Sequence, residues 1–280
     1  MPRHFTSVAA GLAVLLGIAT SARADEARVV DEPPGVGAAV IDEDCGHLPL
    51  DRDERVTPTP TRARSAPSSS QSVAPAAALP HGRAVSALTP SECRAVLDGL
   101  GVEVEDASAE GGPVAAVEQP VRLHGPVGGL TVRPHGGDPR SIHAILDCRL
   151  VVALYAWGPT LRAAGFVGIE HVSVFRPGAR VASSGHPSGH SHGLAIDALL
   201  FVRPDGTTFS VLHDWVARAR GADPCASYDE PAEARALREA ICAGAAAELF
   251  EVIVTPHHDD AHANHVHLEV VPGVDWTALR

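Results

Sequence analysis

The stretch Ser188-Gly-His190-Ser-His192-Gly193-Leu-Ala195-Ile-Asp197-Ala-Leu-Leu-Phe-Val202 decides how this chain is read. From Ala195 onward it is an apolar run of strand length with a single carboxylate inside it. Strand alternation puts Gly193, Ala195 and Asp197 on one face and Leu194 and Ile196 on the other. A plain carboxylate is out of place there, because burying an unpaired charge is costly unless something compensates it. A cation resolves the conflict, and Gly193 and Ala195 leave room beside Asp197 for a metal and a substrate. His190, in the preceding loop, can fold back over the same face.

A second stretch, His262-Ala-Asn264-His265-Val-His267-Leu-Glu269-Val270, alternates in the same way. His265, His267 and Glu269 share one face, and Val266, Leu268 and Val270 share the other. If the two strands are neighbours, Asp197, His265 and His267 lie on one surface within reach of His190. Catalytic zinc sites use three protein ligands, drawn from His nitrogen and carboxylate oxygen, and keep a fourth position open. A His-x-His pair by itself is uninformative; its conjunction with the misplaced Asp197 points to metal. Glu269 shares that face and is an alternative base. His186, His192, His257 and His258 fit neither pattern and read as solvent-exposed or supporting residues.

Working outward, Thr89-Pro-Ser-Glu92 has capping-box spacing with Pro at the first helical position, and Gly101 supplies a stop. A longer helix is expected over Ile142 to Ala164, kinked or split at Gly158-Pro159. Strands are expected at Ile169 to Phe175, Ala195 to Val202, Thr207 to Leu212, Phe250 to Thr255 and His265 to Val271. Helices are expected at Asp214 to Arg220 and Pro231 to Ala247. This order is no βαβ array, and it predicts an α+β fold: an antiparallel sheet with flanking helices.

The first 24 residues read as a signal peptide. Arg3 opens it, Val8 to Ala19 is apolar, and Ala22-Arg23-Ala24 is an A-x-A cleavage site. No later apolar stretch approaches membrane-spanning length, so no integral span is expected after cleavage. Residues 25–88 are acidic at first, then rich in Pro, Ser and Ala, and read as a disordered tether. The folded domain is then expected over residues 89–280. The formal charge of −12 becomes −14 with the loss of Arg3 and Arg23. All basic residues are Arg and none cluster, which argues against nucleic acid as a partner. Export to a secreted or periplasmic location is oxidising, so some of Cys45, Cys93, Cys148, Cys225 and Cys242 should pair. Cys225 and Cys242 flank a helical stretch and are candidates for one bridge, and Cys93 and Cys148 for another. The absence of any C-x-x-C pair argues against a thiolate zinc site.

The segment SGHSHGLAID (188–197) resembles Ser-x-His-x-x-Gly-x-Ala-x-Asp, the ligand motif of the LAS zinc peptidases. That superfamily holds D-Ala-D-Ala carboxypeptidases, peptidoglycan endopeptidases and hedgehog-like domains. The wider stretch from Cys93 to Val270 resembles the extensin-like protein C-terminal domain family. The likeness is carried by Cys93-Arg-x-x-Leu97, Asp197-x-x-x-Phe201, Asp205-Gly206, Val211-Leu-x-Asp214-Trp215 and His262-Ala-Asn-His265-x-His267-Leu268. The resemblance implies a hedgehog/DD-peptidase-like fold and a Zn2+ ion held by His190, Asp197 and His267. It makes His265 a candidate general base and places His262 beside the site. Arg176 sits where relatives steady substrate or oxyanion, and Ser188 sits close to the ligands. The Glu-x-x-His ending of the carboxypeptidase branch is missing, which argues against strict D-Ala-D-Ala carboxypeptidase activity. The expected function is an exported zinc-dependent peptidase or amidase-type hydrolase acting on peptidoglycan or other wall peptides. The alternative is a non-hydrolytic zinc-containing module that binds wall or protein.

Overall fold

Thr89 starts the first helix, α1 (Pro90–Leu100), by the device its neighbours suggest. Its side chain accepts from the Glu92 backbone N–H, its own N–H donates to the Glu92 carboxylate at 2.9 Å, and Gly101 ends the helix in the left-handed conformation. The computed structural model describes residues 79–280. The expected signal segment 1–24, residues 25–78 of the expected tether 25–88, and Cys45 lie outside the described residues. Packing begins before Thr89, since Val85 and Ser86 are already buried.

After α1 come β1 (Val104–Asp106), β2 (Pro120–Leu123), β3 (Thr131–Pro134), β4 (Leu146–Asp147), α2 (Cys148–Ala163) and β5 (Gly168–His171). They are followed by β6 (Ala195–Val202), β7 (Thr208–Ser210), α3 (Val211–Asp214), α4 (Ala232–Ala246), β8 (Val252–Val254), β9 (Val266–Glu269) and β10 (Ala278–Leu279). The main sheet runs β10-β8-β9-β6-β5-β3, with β7 also on β6; β1, β2 and β4 form a small separate sheet. The fold is α+β, and the centre of the main sheet is antiparallel. The expected all-antiparallel sheet needs correction at its edges, where β3 pairs β5 and β10 pairs β8 in parallel. The chain between β3 and β5 includes the long helix α2, the kind of crossover that parallel pairing requires.

The sheet has two unlike faces. Ile196, Ala198, Ile253, Val266 and Leu268 join the core built with Leu97 of α1, Trp157 of α2 and Leu237 of α4. Trp157 anchors it, edge-on to Phe201 and Phe250, with its indole N–H donating to the Ala240 carbonyl at 2.8 Å. Asp197, His267 and Glu269 alternate onto the opposite face. A register shift between Glu170 and His171 changes the alternation along β6, so Phe201 points into the same core as Ile196 and Ala198. Disulfides join Cys93 of α1 to Cys148 of α2, and Cys225 to Cys242 of α4.

Two expected helices differ. The helix from Ile142 begins only at Cys148, because Asp147 caps it: its carboxylate accepts from the Arg149 N–H at 3.0 Å, while Leu146 and Asp147 pair with β2. Gly158-Pro159 does not split it. Gly158 instead meets the chain at Gly128, where a Cβ would lie 2.4 Å from the Gly128 carbonyl oxygen. The expected helix over Asp214 to Arg220 is replaced by irregular chain after the one-turn α3. There Arg218 Nη1 donates to the carbonyls of Asp223 and Ala226, satisfying the loop through side chains.

Candidate metal centre

β6 and β9 pair so that Asp197 lies opposite His267 and Ala195 opposite Glu269. The two chemistry-bearing residues therefore sit side by side on one face, as alternation requires. His190 comes from a single turn, Gly189–His192, between Ser188 and a left-handed Gly193. The Ser188 hydroxyl accepts from the His190 N–H at 3.3 Å. The Gly193 carbonyl accepts from the Asp147 N–H at 2.8 Å, which ties this turn to the start of α2. Gly189 is needed for close approach, because a Cβ there would fall 2.5 Å from the Glu269 carboxyl group.

The result is a buried cluster. His190 Nε2 is 3.0 Å and His267 Nδ1 3.1 Å from the same oxygen, Asp197 Oδ1. The three ligand atoms lie within 4.8 Å of one another, and among the described residues this group could hold a metal ion. The rings are aimed by what they donate to. His190 Nδ1 lies 2.7 Å from the Val174 carbonyl, which can only accept, so Nδ1 donates there and Nε2 is turned toward Asp197. His267 Nε2 lies 3.0 Å from Glu269 Oε2, which leaves Nδ1 facing Asp197. Ser173 Oγ donates to Asp197 Oδ2 at 3.3 Å. Burial opposes charge on Asp197, yet the neighbouring imidazoles of His190, His265 and His267 hold its carboxyl well below the usual range. Burial also opposes charge on His267, but Asp197 and Glu269 push it up to about 10. Asp197 and Glu269 thus favour positive charge at the position of His267.

Residues 91–278 match the extensin-like protein C-terminus family. The chain belongs to that family. No curated protein and no solved structure matches it.

Around the three candidate ligands of this extensin-like domain lie the other residues singled out by sequence. His265 is buried, with Nε2 at 3.6 Å from Asp197 Oδ1 and Nδ1 at 2.6 Å from Asn264 Oδ1. Burial pushes its imidazole down to about 4. His262 is fully buried, its ring 5.1 Å from that of His265 and 6.2 Å from that of His267. Arg176 is half-buried, and its backbone N–H donates to the His190 carbonyl at 2.9 Å. Ser188 is buried under the His190 turn. Glu269, the alternative base, lies with Oε2 3.0 Å from His267 Nε2. His186 and His192 are exposed as expected. His257 departs from the solvent-exposed reading: it is buried, and its Nε2 accepts from the Trp215 indole at 3.3 Å.

Sequence reasoning missed four participants. The Val174 carbonyl and Ser173 follow β5, and only the tertiary fold brings them to Asp197 and His190. Asp259 reaches His262 across three residues in an irregular loop, where no periodicity announces it. His171 is buried on β5, and burial pushes it down to about 4, with Asp197 and His190 among the charges it feels. A His inside an apolar strand was its available signal.

Proposed function

We propose that this extensin-like domain binds one Zn2+ through His190 Nε2, Asp197 and His267 Nδ1. On this reading it is an exported hydrolase of the LAS type, acting on peptide or amide bonds of peptidoglycan. The observation that carries the reading is the buried His-Asp-His cluster whose rings are already turned by Val174 and Glu269. Two imidazole nitrogens and one carboxylate oxygen suit zinc better than the all-oxygen cations. The motif Ser188-x-His190-x-x-Gly193-x-Ala195-x-Asp197 and the later His265-x-His267 support placement in the LAS superfamily with a hedgehog/DD-peptidase-like fold. Zinc in such a site supplies Lewis-acid polarisation and a lowered water pKa.

The chain's own residues do the rest. Asp197 offsets the charge and Ser173 holds its second oxygen. His265 presents Nε2 beside Asp197 to receive a proton, Arg176 steadies the developing oxyanion, and His262 completes the wall. Two disulfides and the signal-like residues 1–24 support a secreted or periplasmic location. Among the described residues no helix is long and apolar enough to cross a membrane. One observation favours a second reading: His265 is buried, and burial opposes its taking up a proton, as a non-hydrolytic zinc module binding wall peptide would tolerate.

The deciding experiment incubates the chain with isolated sacculi, with and without chelator, and reads the released muropeptides by mass spectrometry. Chelator-sensitive products support the hydrolase. A zinc-loaded protein that releases none supports the binding module, and a protein that takes up no zinc at neutral pH overturns both.

A further inference from the structure

Two imidazoles flank the candidate ligands, and they are held by unlike groups. His265 Nδ1 meets the neutral amide oxygen of Asn264. His262 Nδ1 meets the carboxylate of Asp259 at 2.7 Å, and the same Oδ1 accepts from the His262 backbone N–H at 2.9 Å. One oxygen therefore grips both the backbone and the ring of one residue, which leaves the ring little freedom. Asp259 is itself braced. Its other oxygen, 3.5 Å from His258 Nε2, makes no hydrogen bond among the described residues, so the bracing comes from the chain on either side. Arg220 clamps the adjoining chain, with Nη1 donating to the His258 carbonyl at 2.9 Å and Nη2 to the Asp260 carboxylate. An ionised carboxylate only accepts, so the proton of neutral His262 must sit on Nδ1 and the lone pair on Nε2. Burial opposes charge on Asp259, yet its hydrogen bond to His262 holds it below the usual carboxylate range, which keeps it an acceptor. Asp259 is partly exposed and His262 is fully buried, with its ring centre 5.1 Å from that of His265 and 6.2 Å from that of His267.

We propose that Asp259 is a positioning residue that acts through His262, locking its ring in the Nδ1–H form so that Nε2 serves as a hydrogen-bond acceptor aimed at the metal centre. The group it would accept is the O–H or N–H of a water or peptide held there. The consequence for turnover rests on the hydrolase reading above; the ring state does not.

The test uses the zinc-loaded full chain with 15N-labelled histidine. Long-range 1H–15N spectra separate the two neutral forms of each ring. Wild type should show His262 protonated on Nδ1, and Asp259→Ala should move the proton to Nε2. Asp259→Asn keeps an accepting oxygen and should keep the wild-type form. On sacculi, Asp259→Ala should lower kcat about tenfold to a hundredfold, with KM and zinc content unchanged, and Asp259→Asn should restore most of it. A wild-type His262 protonated on Nε2, or a ring state indifferent to Asp259→Ala, overturns the proposal. So does an unchanged kcat. The wild-type spectrum decides the ring state even if the Ala variant fails to fold. A wild type that shows the expected ring state but cleaves nothing removes the hydrolase reading and leaves the positioning role standing.

Discussion

Glu269 illustrates what a single side chain does at this centre. It touches His267 Nε2 rather than sharing the ligand oxygen, so its removal leaves all three candidate ligands in place while freeing one ring to rotate. Glu269→Ala should therefore weaken zinc affinity about 10- to 100-fold, without abolishing it, in a competition titration against a chelator. Asp197→Ala removes a candidate ligand and should leave no stoichiometric zinc after dialysis. Gly189→Ala tests the same geometry from the other side. Its new methyl would collide with the Glu269 carboxyl group, so it should weaken zinc binding in the same direction as Glu269→Ala. Residue identity at these positions was readable from sequence for Asp197, His190 and His267. The supporting role of Glu269 was not, because strand alternation gives a shared face but not which neighbour a side chain bonds.

At the scale of elements, α1 was legible to its last residue because its ends are written locally. Thr89, Pro90, Glu92 and Gly101 each solve a terminal hydrogen-bonding problem with their own atoms. Thr89→Ala should cost about 1 kcal/mol of stability in denaturant unfolding. α2 was misread at both of its signals. Its start is set by Asp147, whose capping depends on where β4 leaves the chain. Its Gly158 serves a close contact with Gly128 rather than a break. Gly158→Ala places a methyl 2.4 Å from the Gly128 carbonyl oxygen, so backbone must shift, and about 1–3 kcal/mol of destabilisation is expected in the same measurement. The loop after α3 defeated sequence reading for a related reason: Arg218 bonds carbonyls five and eight residues on, a spacing that neither helix nor strand period announces, although the Cys225–Cys242 bridge beside it was already a candidate from sequence.

For the whole molecule, the zinc proposed for the His190, Asp197 and His267 cluster would act with protons on the same folding equilibrium. A cation that binds only the folded chain stabilises it by about 2.7 kcal/mol when its free concentration is a hundred times Kd, so the thermal midpoint should rise with zinc and fall with chelator. The pH dependence has a definite sign. Burial holds His257 near 4 in the folded chain, against an ordinary value of 6.5. Between pH 6.5 and 4 the unfolded chain therefore binds more protons, and stability falls as the solution is acidified through that window. His257→Phe should reduce this slope in metal-free protein measured by thermal unfolding at stepped pH. An unchanged slope would show that His257 does not carry it.

Sequence alone settled what is local or periodic: the α+β class, the capped first helix, the strand Ala195–Val202 with its intruding carboxylate, and the face shared by His265 and His267. These follow from side-chain alternation and from groups that bond their near neighbours. Only the tertiary structure decided the parallel edges of the sheet, the start of α2, the burial of His257, and the partners Val174, Ser173 and Asp259. Each of those depends on which distant backbone arrives beside a given atom, and that is set by how the helices and sheet pack, which no single segment encodes.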